Sequence, residues 1–117
     1  MIIKSNMEET WKKIKGWSDY EVSNFGRIKS LKNKKESILI PQNHDRGYKQ
    51  VYLYIKGSRQ KHFIHRLVAM MFIEEFDKFP VVNHKDECKS NNNLSNLEVV
   101  TFSENTQYYY KNKNNEF

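Results

Sequence analysis

Residues 80–105 read PVVNHKDECKSNNNLSNLEVVTFSEN, and this stretch decides how the rest of the chain is organised. Pro80, Val81 and Val82 open a short strand that gives way to the turn-forming Asn83 and to His84. Residues 85–96 (KDECKSNNNLSN) are too polar for a regular element and predict a loop, anchored by Leu94 and Leu97. Leu97 to Val100 (LEVV) predicts a second strand. Thr101 followed three residues later by Glu104 fits a capping box, so a helix is expected to begin at Thr101 with Asn105 in its first turn. Strand, loop, strand and helix then gather polar groups at one end. Cleaving a phosphodiester requires a base to activate water, a hard cation and oxygen ligands to hold that cation. His84 offers the base. Asn83 and Asn105 offer amide oxygens, which suit Mg²⁺ when water and phosphate oxygens complete its shell. Asn96, just before the second strand, is placed to brace the loop through side-chain-to-backbone hydrogen bonds.

Upstream, HRLVAMMFIEEF is continuously apolar from Leu67 to Ile73 and predicts a short buried helix with His65 and Arg66 at its polar end. Before it, YKQVYLYI alternates, with Val51, Leu53 and Ile55 on one face and Tyr48, Tyr52 and Tyr54 on the other. A turn at KGSR and a second strand from Lys61 to Ile64 make residues 48–64 a hairpin whose polar face carries Lys49, Lys56, Arg59 and Lys61. Asn43 to Gly47 is expected as loop. Further upstream, Tyr20 to Leu31 reads as another hairpin turning at Ser23, Asn24, Phe25 and Gly26. Trp11 to Ile14 is a short run broken by Gly16. Lys32 to Ser37 is a charged loop, and Ile38 to Ile40 a strand stopped by Pro41.

The chain has 117 residues, of which 38% are hydrophobic and 14% aromatic, so a small core built on a few large rings is expected. The net charge is +6. It is uneven: residues 1–66 hold 15 basic and 6 acidic side chains, net +9, and residues 67–117 hold 5 and 8, net −3. A basic first half favours a polyanionic partner. Sixteen of the 20 cations are Lys, which suits contact with phosphates more than bidentate reading of bases. One cysteine, Cys88, excludes an internal disulfide framework and a Cys-rich zinc site. No run approaches the ~20 apolar residues of a membrane span and the start lacks a signal-peptide pattern, so a soluble protein of the cytosol is expected.

HRLVAMMF followed by VVNHKDECKSNNNLSNLEVVTFSEN resembles the HNH nuclease domain of phage and intron homing endonucleases, whose fold is a ββα-metal finger. ETWKKIKGWSDYEVSNFGRIKSL is similar to the small nuclease-associated module that often precedes that domain. The resemblance implies an α+β protein, with a β-rich N-terminal module at 9–55 and a nuclease core at 56–112. It implies a catalytic pair of His84 as general base and Asn96 as loop brace, and metal ligands at Asn105 and Asn83. It further implies a divalent cation, Mg²⁺ or Mn²⁺, and products ending in 5′-phosphate and 3′-hydroxyl. The position before the base is often Asp in the family; here Asn83 removes a charge, so tight metal binding without DNA is not expected. The loop position where the family often has Gly is Glu87.

The expected partner is double-stranded DNA, contacted by Arg27, Lys29, Lys32, Lys34, Lys35, Lys49, Arg59, Lys61, His65 and Arg66. One such site cuts one strand, so a monomer would nick and a symmetric dimer would cut both strands. Two alternatives stand beside this reading. One is a DNA-binding protein that keeps the fold without competent metal binding, and the other is RNA binding through the aromatic, basic hairpin.

Overall fold

The structure, a computed structural model, describes residues 8–79 and 81–101. Its first sheet is a four-stranded antiparallel meander of Trp11–Ile14 (β1), Trp17–Ser23 (β2), Ile28–Ser30 (β3) and Ser37–Ile38 (β4). Alternation along β2 sends Tyr20 and Val22 inward, and the register opposes Val22 to Ile28 so that both apolar side chains share the buried face. The turn after β2 is closed by Ser23, whose buried Oγ accepts from the N–H groups of Phe25 and Arg27, each at 3.1 Å.

The second sheet is Gln42–Asn43 (β5), Lys49–Ile55 (β6) and Ser58–Phe63 (β7), with β6 in the middle. Lys56 and Gly57 join β6 to β7 with positive φ at both positions, the backbone of a type I′ turn that matches the right-handed twist of the strands. Val51 and Leu53 are fully buried. The other face pairs Tyr52 with Lys61 and Tyr54 with Arg59. A helix, Ile64–Phe72 (α1), follows β7 directly, and a two-stranded ribbon of Val81–His84 (β8) and Leu97–Val100 (β9) completes the described chain.

One core unites these parts. Ile14, Tyr20, Val22 and Ile28 of the first sheet pack with Val51 and Leu53 of the second, with Ile64, Leu67 and Val68 of α1, and with Leu97 of β9. Fully burying an aliphatic side chain of this size contributes about 1.5–3 kcal/mol, so the helix face at positions 64, 67 and 68 is the chief clamp between sheets and ribbon. Two polar ties reinforce it. The Tyr20 hydroxyl accepts from the Tyr54 N–H at 3.0 Å, and the Lys12 ammonium donates to the Met71 carbonyl oxygen at 3.1 Å. The protein is thus α+β, β-rich at its N-terminal side and helix-containing at the core that follows. No helix among the described residues is long and apolar enough to cross a membrane.

Several local expectations are corrected. The helix starts at Ile64, three residues earlier than its apolar run suggests, because Ile64, Leu67 and Val68 fall on one helical face; it ends at Phe72, with Ile73 already extended. Ile38 to Ile40 is not a full strand: pairing stops at Ile38 and Ile40 is 88% exposed. Proline at position 41 cannot donate to a ladder and restricts the residue before it. Gln42 and Asn43, the latter expected in a loop, pair with β6. Ile55, expected on the core face, is 42% exposed because nothing covers the hairpin tip. The helix expected from Thr101, with Asn105, lies outside the described residues.

Candidate active site

His84 is the last residue of β8, opposite Leu97 of β9, so the ribbon's pairing and the burial of Leu97 fix where its backbone sits. The side chain is half-buried, and its Nε2 lies 2.8 Å from Oδ1 of Asn92, a buried residue of the connecting loop. An amide oxygen only accepts, so of the two neutral tautomers this contact selects the one with its proton on Nε2 and a lone pair on Nδ1.

The loop is ordered by its own side chains. Asn96 is buried at its foot, where Oδ1 accepts from the Asp86 N–H at 3.1 Å and Nδ2 donates to Asp86 Oδ1 and to the Asn91 carbonyl, each at 2.9 Å. The Asn96 carbonyl also accepts from the Lys85 N–H at 2.7 Å. Asp86 is the second organiser, and the sequence reading passed it over. Its carboxylate accepts from Asn91 Nδ2 and from the Cys88 N–H, and these bonds, with that from Asn96, hold its pKa below the usual value. The signal available was an Asp two residues ahead of the chain reversal, a common local hydrogen-bonding arrangement. Glu87 adopts φ +63°, the left-handed conformation that a non-glycine residue adopts at a cost of about 1 kcal/mol, which explains why glycine suits this position.

Around His84 stands a cluster of rings drawn from distant elements. His65, in the first turn of α1, lies 5.0 Å from His84 between centroids; Tyr48 stacks on His65 at 5.0 Å and lies 6.1 Å from His84. Phe63 approaches His65 at 5.6 Å, and the Lys89 ammonium sits 4.7 Å from the Tyr48 ring centre. His65 is only 7% exposed, and its Nδ1 has no hydrogen-bond partner among the described residues. Burial, with smaller contributions from His84 and Arg66, pushes its pKa from 6.5 down to about 4. Buried and held neutral, the imidazole packs among the rings beside His84 and carries no charge toward a phosphate at neutral pH. Asn92 and Lys89 were not singled out in the sequence, where only an Asn-rich loop was visible, whereas Tyr48 was read as one of the tyrosines on the outer face of an alternating strand.

Residues 9–54 match the NUMOD4 motif and residues 62–107 match the HNH endonuclease family model. Residues 62–107 are an HNH endonuclease segment. The chain is 44% identical over 94 residues to DNA endonuclease I-HmuI of Bacillus phage SP01, a match covering 78% of this chain and 52% of that protein. It is 40% identical over 106 residues to the uncharacterized HNH endonuclease L245 of Acanthamoeba polyphaga mimivirus, covering 91% of this chain and 31% of the relative. The solved structure of DNA binding and cleavage by the HNH homing endonuclease I-HmuI superposes with a TM-score of 0.80 at 37% identity, covering 89% of this chain and 59% of that one. The chain therefore spans from about a third to about half the length of these curated relatives.

Within this chain the cations expected at DNA fall into two groups. Arg27 is committed to Glu9, with Nε donating to a carboxylate oxygen at 2.7 Å, and it flanks the Trp11 ring. Lys29, whose side chain is 16% exposed, lies 3.9 Å from Glu21 and 3.8 Å from Glu36 and over Trp11. Both are engaged with carboxylates and a ring of the first sheet. Lys32 is 3.4 Å from Asp19, and Lys49 is hydrogen-bonded to Asn43. Lys34 and Lys35 are exposed. Arg59 lies 4.2 Å over Tyr52 and Lys61 5.2 Å from the Phe63 ring centre, forming an exposed cation and aromatic face that leads along the hairpin toward Tyr48 and His65. Arg66 is exposed at the helix start, 5.1 Å from the Phe76 ring centre.

The family implies a divalent cation, and the donor set limits its nature. Among the described residues no three His, Cys, Asp or Glu side chains converge. Asn83 stands half-buried beside His84 on β8, and Asn105 lies outside the described residues. Neutral amide oxygens fit a hard cation that keeps water and phosphate oxygens for most of its shell.

Proposed function

We propose that this chain is the nuclease portion of a metal-dependent DNA endonuclease that hydrolyses phosphodiester bonds of double-stranded DNA. The observation that carries the reading is His84 at the end of β8, held through Nε2 by buried Asn92 at 2.8 Å, on an HNH segment. His84 takes a proton of water on Nδ1 as the water oxygen bonds to phosphorus; the P–O bond to the 3′ oxygen breaks, that oxygen takes a proton from solvent, and the products carry 5′-phosphate and 3′-hydroxyl ends. Asn96 keeps the loop that supports His84 in place. Asn83 and Asn105 would hold a Mg²⁺ or Mn²⁺ ion, which supplies charge neutralisation at the leaving oxygen. Duplex DNA is held by the exposed face of Arg59 and Lys61, with Arg66, Lys34 and Lys35 as further phosphate contacts. One such site per chain cuts one strand, so a monomer nicks.

The proposed division of labour runs near residues 55/56, with residues 9–55 as the associated module and 56–112 as the nuclease. It does not separate packing units, because β6 and β7 pair across that boundary and share one core with α1. The phage and viral relatives support action in the cytosol of a host cell. Incubating the chain with supercoiled plasmid and Mg²⁺ or Mn²⁺, with EDTA as the control, tests the reading: an open-circular product that EDTA abolishes is expected. DNA binding without cleavage in either metal would establish the alternative, a binding protein that retains the HNH fold.

A further inference from the structure

The turn after β2 is wedged against the loop that carries Asn92. Gly26 adopts φ +85°, and a Cβ there would lie 2.7 Å from the Asn92 carbonyl oxygen and 2.9 Å from the Asn92 Cβ. Two residues further along the loop, the Leu94 N–H donates to the Asn24 carbonyl oxygen at 2.7 Å. Asn24 is itself tied down, its Oδ1 accepting from the Thr10 N–H at 2.8 Å and its Nδ2 donating to the Glu8 carbonyl at 2.9 Å. A contact this close transmits displacement, since packed atoms do not interpenetrate and hydrogen bonds at both ends of the turn resist its retreat.

We propose that Asn92 is the positioning residue for His84 and that the Ser23–Gly26 turn of the NUMOD4 motif holds Asn92 in place, making the motif a structural part of the nuclease site. The inference rests on His84 being the general base. Asn92 accepts the Nε2 proton of His84 and so selects the tautomer whose Nδ1 can receive a proton from water. Gly26 sets how far Asn92 reaches. A larger residue at position 26 therefore impairs a base that it never touches.

The test uses the full chain with ¹⁵N-labelled histidine, reading the His84 tautomer by long-range proton–nitrogen correlation, together with single-turnover plasmid cleavage. Wild type is expected to show protonated Nε2 and unprotonated Nδ1. Asn92→Ala and Gly26→Ala are expected to mix the tautomers and slow cleavage by ~10²-fold with unchanged DNA affinity, the scale of a 1 Å misplacement. Asn92→Asp, which keeps an acceptor oxygen at the same place, is expected to retain the wild-type tautomer. Gly16→Ala is the control: it carries the same φ of +85° but has nothing within 4 Å, so the His84 signals should not change. Unaltered His84 signals in Asn92→Ala, or equal changes in Gly16→Ala and Gly26→Ala, would overturn the proposal. If Gly26→Ala does not fold, wild type decides: slow exchange of the Leu94 amide, matching the β2 and β3 amides, supports the coupling and fast exchange overturns it. The tautomer signals do not depend on cleavage, so a wild type that fails to cut refutes the functional reading while leaving the Asn92 relationship separately decided.

Discussion

The rings of His65 and His84 lie 5.0 Å apart, centroid to centroid, and are inclined by 60°. One is buried on a helix and the other stands half-buried at a strand end. With its pKa pushed to about 4, His65 stays neutral at pH 7 and places an uncharged ring beside the proposed base. A protonated His65 would repel the imidazolium that His84 must become when it takes a proton.

That burial makes stability depend on pH. The folded pKa of His65 lies below the unfolded value of 6.5, so the unfolded chain binds more protons between those values, and stability is lost as pH falls from 6.5 toward 4. The loss expected at pH 4.5 is about 2–3 kcal/mol. Urea denaturation of wild type and His65→Phe at pH 7.5 and pH 4.5 measures it. The variant keeps an aromatic ring against Tyr48 and should lose that share of the acid sensitivity; equal sensitivity in both proteins would discard the assignment.

Removing the base should separate chemistry from binding. His84→Ala is expected to lower cleavage by ~10²–10⁴-fold with DNA affinity nearly unchanged, since a neutral imidazole adds little attraction to phosphate. Plasmid nicking and fluorescence anisotropy on the same preparations give the two numbers. A variant that cuts as fast as wild type would remove His84 from the mechanism.

Metal demand should follow the charge of its ligands. Asn83→Asp adds a charged oxygen donor and is expected to lower the Mg²⁺ concentration that gives half-maximal cleavage, whereas Asn105→Ala is expected to raise it. Titrating Mg²⁺ at fixed DNA checks both, and two unmoved curves would show that neither side chain is a ligand.

Phosphate contact should track free cations rather than the total charge of the first half. Lys34→Gln with Lys35→Gln, and separately Arg59→Gln with Lys61→Gln, are expected to flatten the plot of log affinity against log salt by ~0.9 per lost contact. Lys78→Gln with Lys85→Gln serves as the control. Arg27→Gln, which breaks the exposed pair with Glu9, should leave the slope alone and change stability little. A change of slope confined to the control pair would place the DNA near Lys78 and Lys85 instead of on these two groups.

Much of the fold was legible because its signals are local. The alternation in β2 and β6, the turn residues at 23–26 and the strand pair 81–84 with 97–100 each follow from neighbouring residues choosing a backbone conformation. The motif around His84 was legible for the same reason, since a strand end, a polar loop and a following strand are contiguous in the chain. Where a local signal met a tertiary one, the tertiary one prevailed. Ile64 joined α1 because its side chain completes a helical face over the core, and Ile55 was left exposed because no other element reaches the hairpin tip.

The sequence by itself determined the order of strands, the charge asymmetry and the residue types available to act on a phosphodiester. Only the tertiary structure decided that Asn92 rather than another asparagine of KSNNNLSN meets His84, that His65 is buried and neutral beside it, and that Arg27 and Lys29 are committed to carboxylates. The physical reason is reach. A backbone conformation is chosen by atoms a few residues away, whereas burial, ion pairing and hydrogen-bond partnership depend on groups brought together only when both sheets, the helix and the ribbon close over one core.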